Sequence, residues 1–136
     1  MNRIKDKINE IEKYLEELLI ILPLNFEKYE ISLEKKAACE RYFEKIVESL
    51  IDLAYLISKQ ERFNLSEKNK IFDVLLEKEI ISKNLCTKLK NAKGMRNIIS
   101  HKYGEIDDQI VFESLAEELI PDSKEFLKII KQIFGI

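Results

Sequence analysis

The sequence predicts an all-α protein, an up-and-down bundle of about five to six helices. Three observations predict it. Among its 136 residues there are only 3 Gly and 2 Pro, too few for the tight turns of a sheet protein. Charged residues make up 35% of the chain on an ordinary apolar fraction of 46%, where soluble domains usually carry ~25% charge. The apolar residues recur at spacings of three and four, so long amphipathic helices laced with Lys and Glu account for both fractions. A chain of this length suits one domain over residues 1–136 and leaves little for a second core.

Ile4, Ile8, Ile11, Leu15, Leu18, Leu19 and Leu22 mark the first helix, which Pro23 stops because its ring cannot continue the ladder. Residues 23–32, containing Asn25, Phe26 and Tyr29, read as a connection. A longer helix runs from about Leu33 to Lys59 on the stripe Ala37, Ala38, Tyr42, Ile46, Leu50, Leu53, Ala54 and Ile57. Phe63, Asn64 and Leu65 mark a break, after which Ser66 followed by Glu67 reads as the N-cap of a short helix bearing Ile71, Phe72, Leu75 and Leu76. Ser82 caps the next helix, through Leu85, Leu89, Ala92, Met95 and Ile99, with Gly104 as the residue that ends it. Asp107 or Asp108 begins another with Val111, Leu115 and Leu119. Pro121 stands where a first-turn proline would start a final helix carrying Phe126, Leu127, Ile130 and Phe134. Connections this short favour antiparallel neighbours.

Several function classes are disfavoured. A net charge of −2 argues against non-specific nucleic-acid binding by the surface as a whole. No apolar run approaches the ~18 residues of a membrane span, and Met1 to Asp6 opens an amphipathic helix in place of a signal peptide's apolar stretch. The expected setting is the cytoplasm, with no membrane. Cys39 and Cys86 sit among apolar residues at helical spacing and read as buried free thiols. With a single His and two scattered Cys there is no zinc-ligand spacing, and neither a metal nor a cofactor is expected.

One stretch differs from the solvated helix faces. Between Ser82 and Tyr103 lie Lys83, Lys88, Lys90, Lys93, Arg96 and Lys102 and no acidic residue, which leaves the rest of this −2 chain at −8. Either this is chance clustering in a Lys-rich sequence, or it is a footprint for phosphates in which Lys93 and Lys102 are candidates to touch RNA. The sole histidine ends that stretch, in Gly94-Met95-Arg96-Asn97-Ile98-Ile99-Ser100-His101-Lys102-Tyr103-Gly104. A lone His near a helix C-terminus is usually structural. Here its company matters. Arg96 and Tyr103, seven residues apart, lie within ~20° of one face, whereas Arg96 and His101, five apart, are about 140° around the helix. A straight helix does not aim that pair together. They converge if the helix loosens before Gly104, or if a second copy of the chain supplies half of the site.

The residue types suit RNA cleavage. A guanidinium can hold two phosphate oxygens as charge builds on them, and an imidazole titrates where it can take a proton from a 2′-hydroxyl or return one to the leaving oxygen. RNA supplies its own nucleophile, the 2′-OH, so no metal is needed. Along the long helix, Arg41 can pair with Glu44 or Glu48 as an ordinary surface contact. Alternatively Arg41 or Glu40 lines the cleft and orients the motif side chains.

At these residues the sequence resembles the HEPN superfamily, whose signature is Arg, four to six residues, then His; R-N-I-I-S-H-K-Y has the Arg-x4-His-x-Tyr form of the HepT-like toxins. Ala38 to Ala54 is similar to the family's central helix, and Ile71 to Ile81, the helix into the motif and the Tyr-Gly-x-Ile-Asp turn extend the likeness over nearly the whole chain. The resemblance implies a HEPN-like helical homodimer that brings two motifs to a shared cleft and cleaves RNA without metal, as a toxin under the control of a nucleotidyltransferase antitoxin. It places Arg96 and His101 on the catalytic pair and Asn97 on the polar residue that often follows the Arg. Tyr103 falls on the tyrosine that the antitoxin modifies with AMP, a bulky anion that would exclude RNA by sterics and repulsion. Gly94 is less expected mid-helix, where Gly costs about 1 kcal/mol relative to Ala, unless it admits a second helix at a dimer seam. Two other readings remain: a non-catalytic subunit that docks a nucleotidyltransferase or holds a nucleotide, and a purely structural helical dimer.

Overall fold

The computed structural model describes residues 2–65, 70–101 and 106–136, and all its regular elements there are helical. In chain order they are α1 (Asn2–Ile21), α2 (Phe26–Glu30), α3 (Leu33–Gln60), α4 (Ile71–Glu77), α5 (Lys83–His101), α6 (Asp108–Glu113), a π-helical segment (Ser114–Leu119) and α7 (Ile120–Phe134). The all-α bundle follows the apolar spacing. Ile4, Ile8, Ile11, Leu15 and Leu18 of α1 are all buried and α1 packs along α3, whose Phe43, Ile46, Leu50, Leu53 and Ile57 are buried in turn. α3 is the central element, with α1, α4 and α5 against it. α5 in turn touches α4, α7 and the π segment, so the helix that carries the motif has neighbours on several sides.

The helix boundaries refine the sequence reading in three places. The connection 23–32 contains a helix, α2, because Asn25 accepts from the Lys28 amide and Tyr29 is buried with its ring 5.2 Å from Phe112. A five-residue helix has too few turns to print a periodicity, so tertiary burial decides it. Pro121 stands in the first turn of α7, as its place in the sequence predicts, although α7 is not separate: α6, the π segment and α7 follow one another without a break. A proline inside a helix lacks the N–H that would reach back four residues, here to Glu117, and its ring crowds that carbonyl; the wider π segment immediately before it absorbs the mismatch. Helices α3 and α4 end on left-handed residues that are not glycine, Arg62 (φ 58°) and Glu79 (φ 59°). The Phe63 amide then bonds Ser58 O at 2.9 Å and the Ile80 amide Leu75 O at 2.9 Å, closing each helix as a Schellman turn does. The proposed caps Ser66 and Gly104 lie outside the described residues. Asp107 is the N-cap of α6, accepting from the Gln109 and Ile110 amides.

Candidate active site

α5 starts on Ser82, whose Oγ accepts from the Leu85 amide at 3.1 Å, and continues as regular α-helix to His101. Its buried residues are Leu85, Cys86, Leu89 and Ile99. After Leu89 the face toward α3 turns largely polar. Arg96 is half-buried there, and its Nη2 donates to Glu48 Oε1 at 2.8 Å while Nη1 donates to Asn97 Oδ1 at 3.2 Å. Its Nε is buried with no hydrogen-bond partner. One turn further, Ser100 Oγ donates to Glu44 Oε2 at 2.7 Å. Glu44 and Glu48 are four apart on α3, as Arg96 and Ser100 are on α5. The antiparallel course of the two helices therefore matches acceptor to donor at both rungs.

Beside the second rung lies an open groove of about 560 Å³ between α3 and the start of α6, lined by Leu33, Lys36, Glu40, Glu44, Ser100, Ile106 and Asp108 among others. Lys36 is paired with Asp108 at 3.0 Å. Burial, and then the nearby Asp108 carboxylate, hold the Glu40 carboxyl above its ordinary range, partly countered by Lys36. Among the described residues no group of three or more His, Cys, Asp or Glu side chains is arranged to hold a metal ion.

The structure brings Arg96 and Asn97 together and leaves His101 exposed at the end of α5. The helix does not loosen before His101, so the 140° separation expected of a regular helix stands, and one chain does not aim Arg96 and His101 at a common point. Lys102 and Tyr103 lie outside the described residues, and Lys93 is half-buried. The basic stretch is not the continuous positive strip that its sequence suggests. Lys90 pairs with Asp73 of α4 at 3.1 Å, Lys88 with Asp122 and Glu125 of α7 at 3.8 and 3.6 Å, and Arg96 with Glu48 of α3. Positions 88, 90 and 96 point around α5, so each cation meets a different neighbouring helix. Among the groove's lining, Glu40 represents the pair Glu40 and Arg41; Arg41 is exposed. Glu44 and Glu48 meet the motif instead, a role assigned to neither from sequence. The signal was present as Glu-x3-Glu on one helix and Arg-x3-Ser on the other, legible only once their register is known.

The profile of the family described as HepT-like, Ribonuclease HepT-like, matches residues 4–130. This chain belongs to the HepT-like ribonuclease family. It is 29% identical to the mRNA nuclease HepT of Shewanella oneidensis over 89 residues, 65% of this chain and 66% of that protein. It is 25% identical to the tRNA nuclease HepT of Aphanizomenon flos-aquae over 114 residues, 83% of this chain and 78% of that one. The HepT-like fold is matched in solved structures. The crystal structure of a toxin–antitoxin with AMP-PNP superposes with a TM-score of 0.88 at 22% identity, covering 97% of this chain and 99% of that one. The tri-AMPylated HEPN toxin of Shewanella oneidensis in complex with the MNT antitoxin gives 0.86 at 23%, covering 95% and 96%. No helix among the described residues is long and apolar enough to cross a membrane.

Proposed function

We propose that this protein is a metal-independent endoribonuclease, the toxin of a toxin–antitoxin pair, which cleaves RNA with Arg96 and His101. The observation that carries the reading is the polar end of the α3–α5 seam, where a buried-edge arginine is held by Glu48 and Asn97 within a chain of HepT-like ribonuclease sequence. Two HepT relatives named as RNA nucleases support the same activity.

In the reaction the 2′-hydroxyl attacks the adjacent phosphorus, the bond to the 5′-oxygen breaks, and the products are a 2′,3′-cyclic phosphate and a 5′-hydroxyl. Arg96 holds the non-bridging oxygens as they gain charge. His101 moves a proton, from the 2′-hydroxyl or to the departing 5′-oxygen. The nucleophile belongs to the RNA, which is why the step needs no metal to generate one. Because α5 points Arg96 and His101 apart, the working unit is a homodimer in which His101 of one copy meets Arg96 of the other. The open Cβ direction of Gly94, with nothing within 4 Å, leaves room for a second helix on that exposed face. Lys93 and Lys102 are candidates to hold the RNA backbone.

Control falls to a nucleotidyltransferase antitoxin that adenylylates Tyr103 or covers the site. An adenylate on Tyr103, seven residues along the motif from the phosphate-binding arginine, would add a bulky anion that RNA must avoid. The non-catalytic binding subunit is favoured by one observation, the pairing of Lys88, Lys90 and Arg96 with acids of the same chain.

The test is cleavage of bulk cellular RNA by the purified protein in excess chelator, beside Arg96→Ala and His101→Ala. Cleavage by the wild type alone is the expected result. An inert wild type whose mass carries one adenylate would be the silenced toxin, whereas an inert, unmodified dimer would overturn the ribonuclease reading in favour of the binding subunit.

A further inference from the structure

Glu48 is the acceptor closest to the motif arginine, and nothing in the motif itself names it. The geometry points to Glu48 as a positioning residue for Arg96, with the Glu44–Ser100 contact fixing the turn that follows; the inference rests on the ribonuclease reading above.

Arg96 has five N–H donors in a rigid plane. One on Nη2 is taken by Glu48 at 2.8 Å and one on Nη1 by Asn97 at 3.2 Å, while Nε is sealed against the protein. A fork that uses Nε and Nη2 together is therefore closed to a phosphate. What remains for a phosphate is one N–H on each terminal nitrogen, Nη1 and Nη2. Glu48 and Asn97, approaching from two sides, stop the plane from turning about its own axis. Glu48 reaches across from α3, so it also ties the arginine to a different helix from the one that bears it. The second rung does the same for α5 one turn later, Ser100 to Glu44 at 2.7 Å, immediately before His101.

A carboxylate in this place has a cost, since it neutralises the charge that would attract the phosphate. Two roles can offset that cost. If Glu48 only orients, an uncharged acceptor of the same shape should serve as well and should bind RNA more tightly. If Glu48 instead moves a proton, the uncharged acceptor should be inactive. The half-exposed carboxylate bonds Arg96 through one oxygen, and its orienting contact needs an acceptor and no titration, so the structure assigns the first role.

Glu48→Gln and Glu48→Ala are compared with the wild type in steady-state cleavage of a defined RNA, with the Arg96 side-chain 15N–1H resonances recorded on the same proteins. In Glu48→Ala, kcat is expected to fall about 100-fold, the loss typical of a reacting group displaced by an ångström, with KM no higher than in the wild type. In Glu48→Gln, kcat should stay within about 3-fold and KM should fall, since orientation survives while a negative charge is removed. The guanidinium resonances should be restrained in the wild type and Glu48→Gln and averaged in Glu48→Ala. Glu48→Gln as inactive as His101→Ala would overturn positioning in favour of proton transfer, and an unchanged Glu48→Ala would remove Glu48 from the site. If the unmodified wild type does not cleave RNA, the ribonuclease reading fails while the resonances still decide whether Glu48 restrains Arg96.

Discussion

α3 faces α1 with apolar residues and faces the end of α5 with carboxylates, and the two seams do different work. On the α1 side five apolar side chains of α1 are buried in succession, and polar contacts stand at the margin: Tyr42 to Glu17 at 3.1 Å, Ser49 to Glu10 at 3.3 Å, Lys7 to Asp52 at 3.7 Å. On the α5 side, past Leu89, Ile99 is the one buried apolar residue of α5, and the polar contacts across the seam include Arg96–Glu48 and Ser100–Glu44. Part-exposed ion pairs contribute little stability, whereas each fully buried aliphatic side chain contributes about 1.5–3 kcal/mol. The first seam holds the fold together; the second holds a geometry. Separating them allows the site to keep polar, hydrated groups without weakening the core.

The comparison breaks most visibly if the polar seam turns out to matter for stability or the apolar one for chemistry. Arg96→Ala and His101→Ala should lower RNA cleavage by about 10²–10⁴-fold, the usual range for lost charge stabilisation or proton transfer. The exposed His101→Ala should leave urea-unfolding stability within about 0.5 kcal/mol. Ile11→Ala, in the α1 seam, should cost about 2–5 kcal/mol in the same unfolding experiment while leaving cleavage per folded molecule unchanged.

A third site sharpens the contrast through pH. Cys39 is buried where α2 closes over α3, and burial pushes its thiol up to about 11, against a weaker downward pull from Lys35. The folded chain therefore holds the proton more tightly than the unfolded one. The stability this contributes is complete below about pH 9 and is lost as pH rises toward 11, a fall on the order of 2 kcal/mol. Cys39→Ala should flatten that alkaline limb in a pH series of unfolding midpoints; an unaltered limb would assign it to other groups. The smallest effect is expected at Gly94, where an added Cβ meets nothing within 4 Å. Gly94→Ala should raise the helix's stability by up to about 1 kcal/mol in the isolated chain. If a second copy packs there, dimer affinity should fall instead, which ultracentrifugation would detect.

Much of this was legible in the sequence, and the exceptions share a cause. The stripe Ile4, Ile8, Ile11, Leu15, Leu18 reads as a buried helix face because each residue is fixed by its own neighbours at three and four. Arg96 and His101 stand out because a short spacing of unusual residue types survives without any knowledge of the fold. α2 was missed because five residues cannot show a period, and burial of Tyr29 against Phe112 is a contact across more than eighty residues. Pro121 marked the first turn of α7 correctly, but not that a π segment joins α7 to α6 without a break. The basic stretch misled because charge counted along the chain does not say which helix stands opposite. Glu44 and Glu48 needed the α3–α5 register, which lies in neither helix alone.

On the proposed function, Arg96, tied to its own chain by Glu48, works with His101 of another copy. The most direct test mixes Arg96→Ala protein, inactive alone, with His101→Ala protein, also inactive alone, after subunit exchange. Recovery of about a quarter of wild-type RNA cleavage is predicted, because half of the randomly paired dimers carry one intact site of two. A mixture that forms mixed dimers yet stays inert would contradict the account and return both residues to a site within one chain.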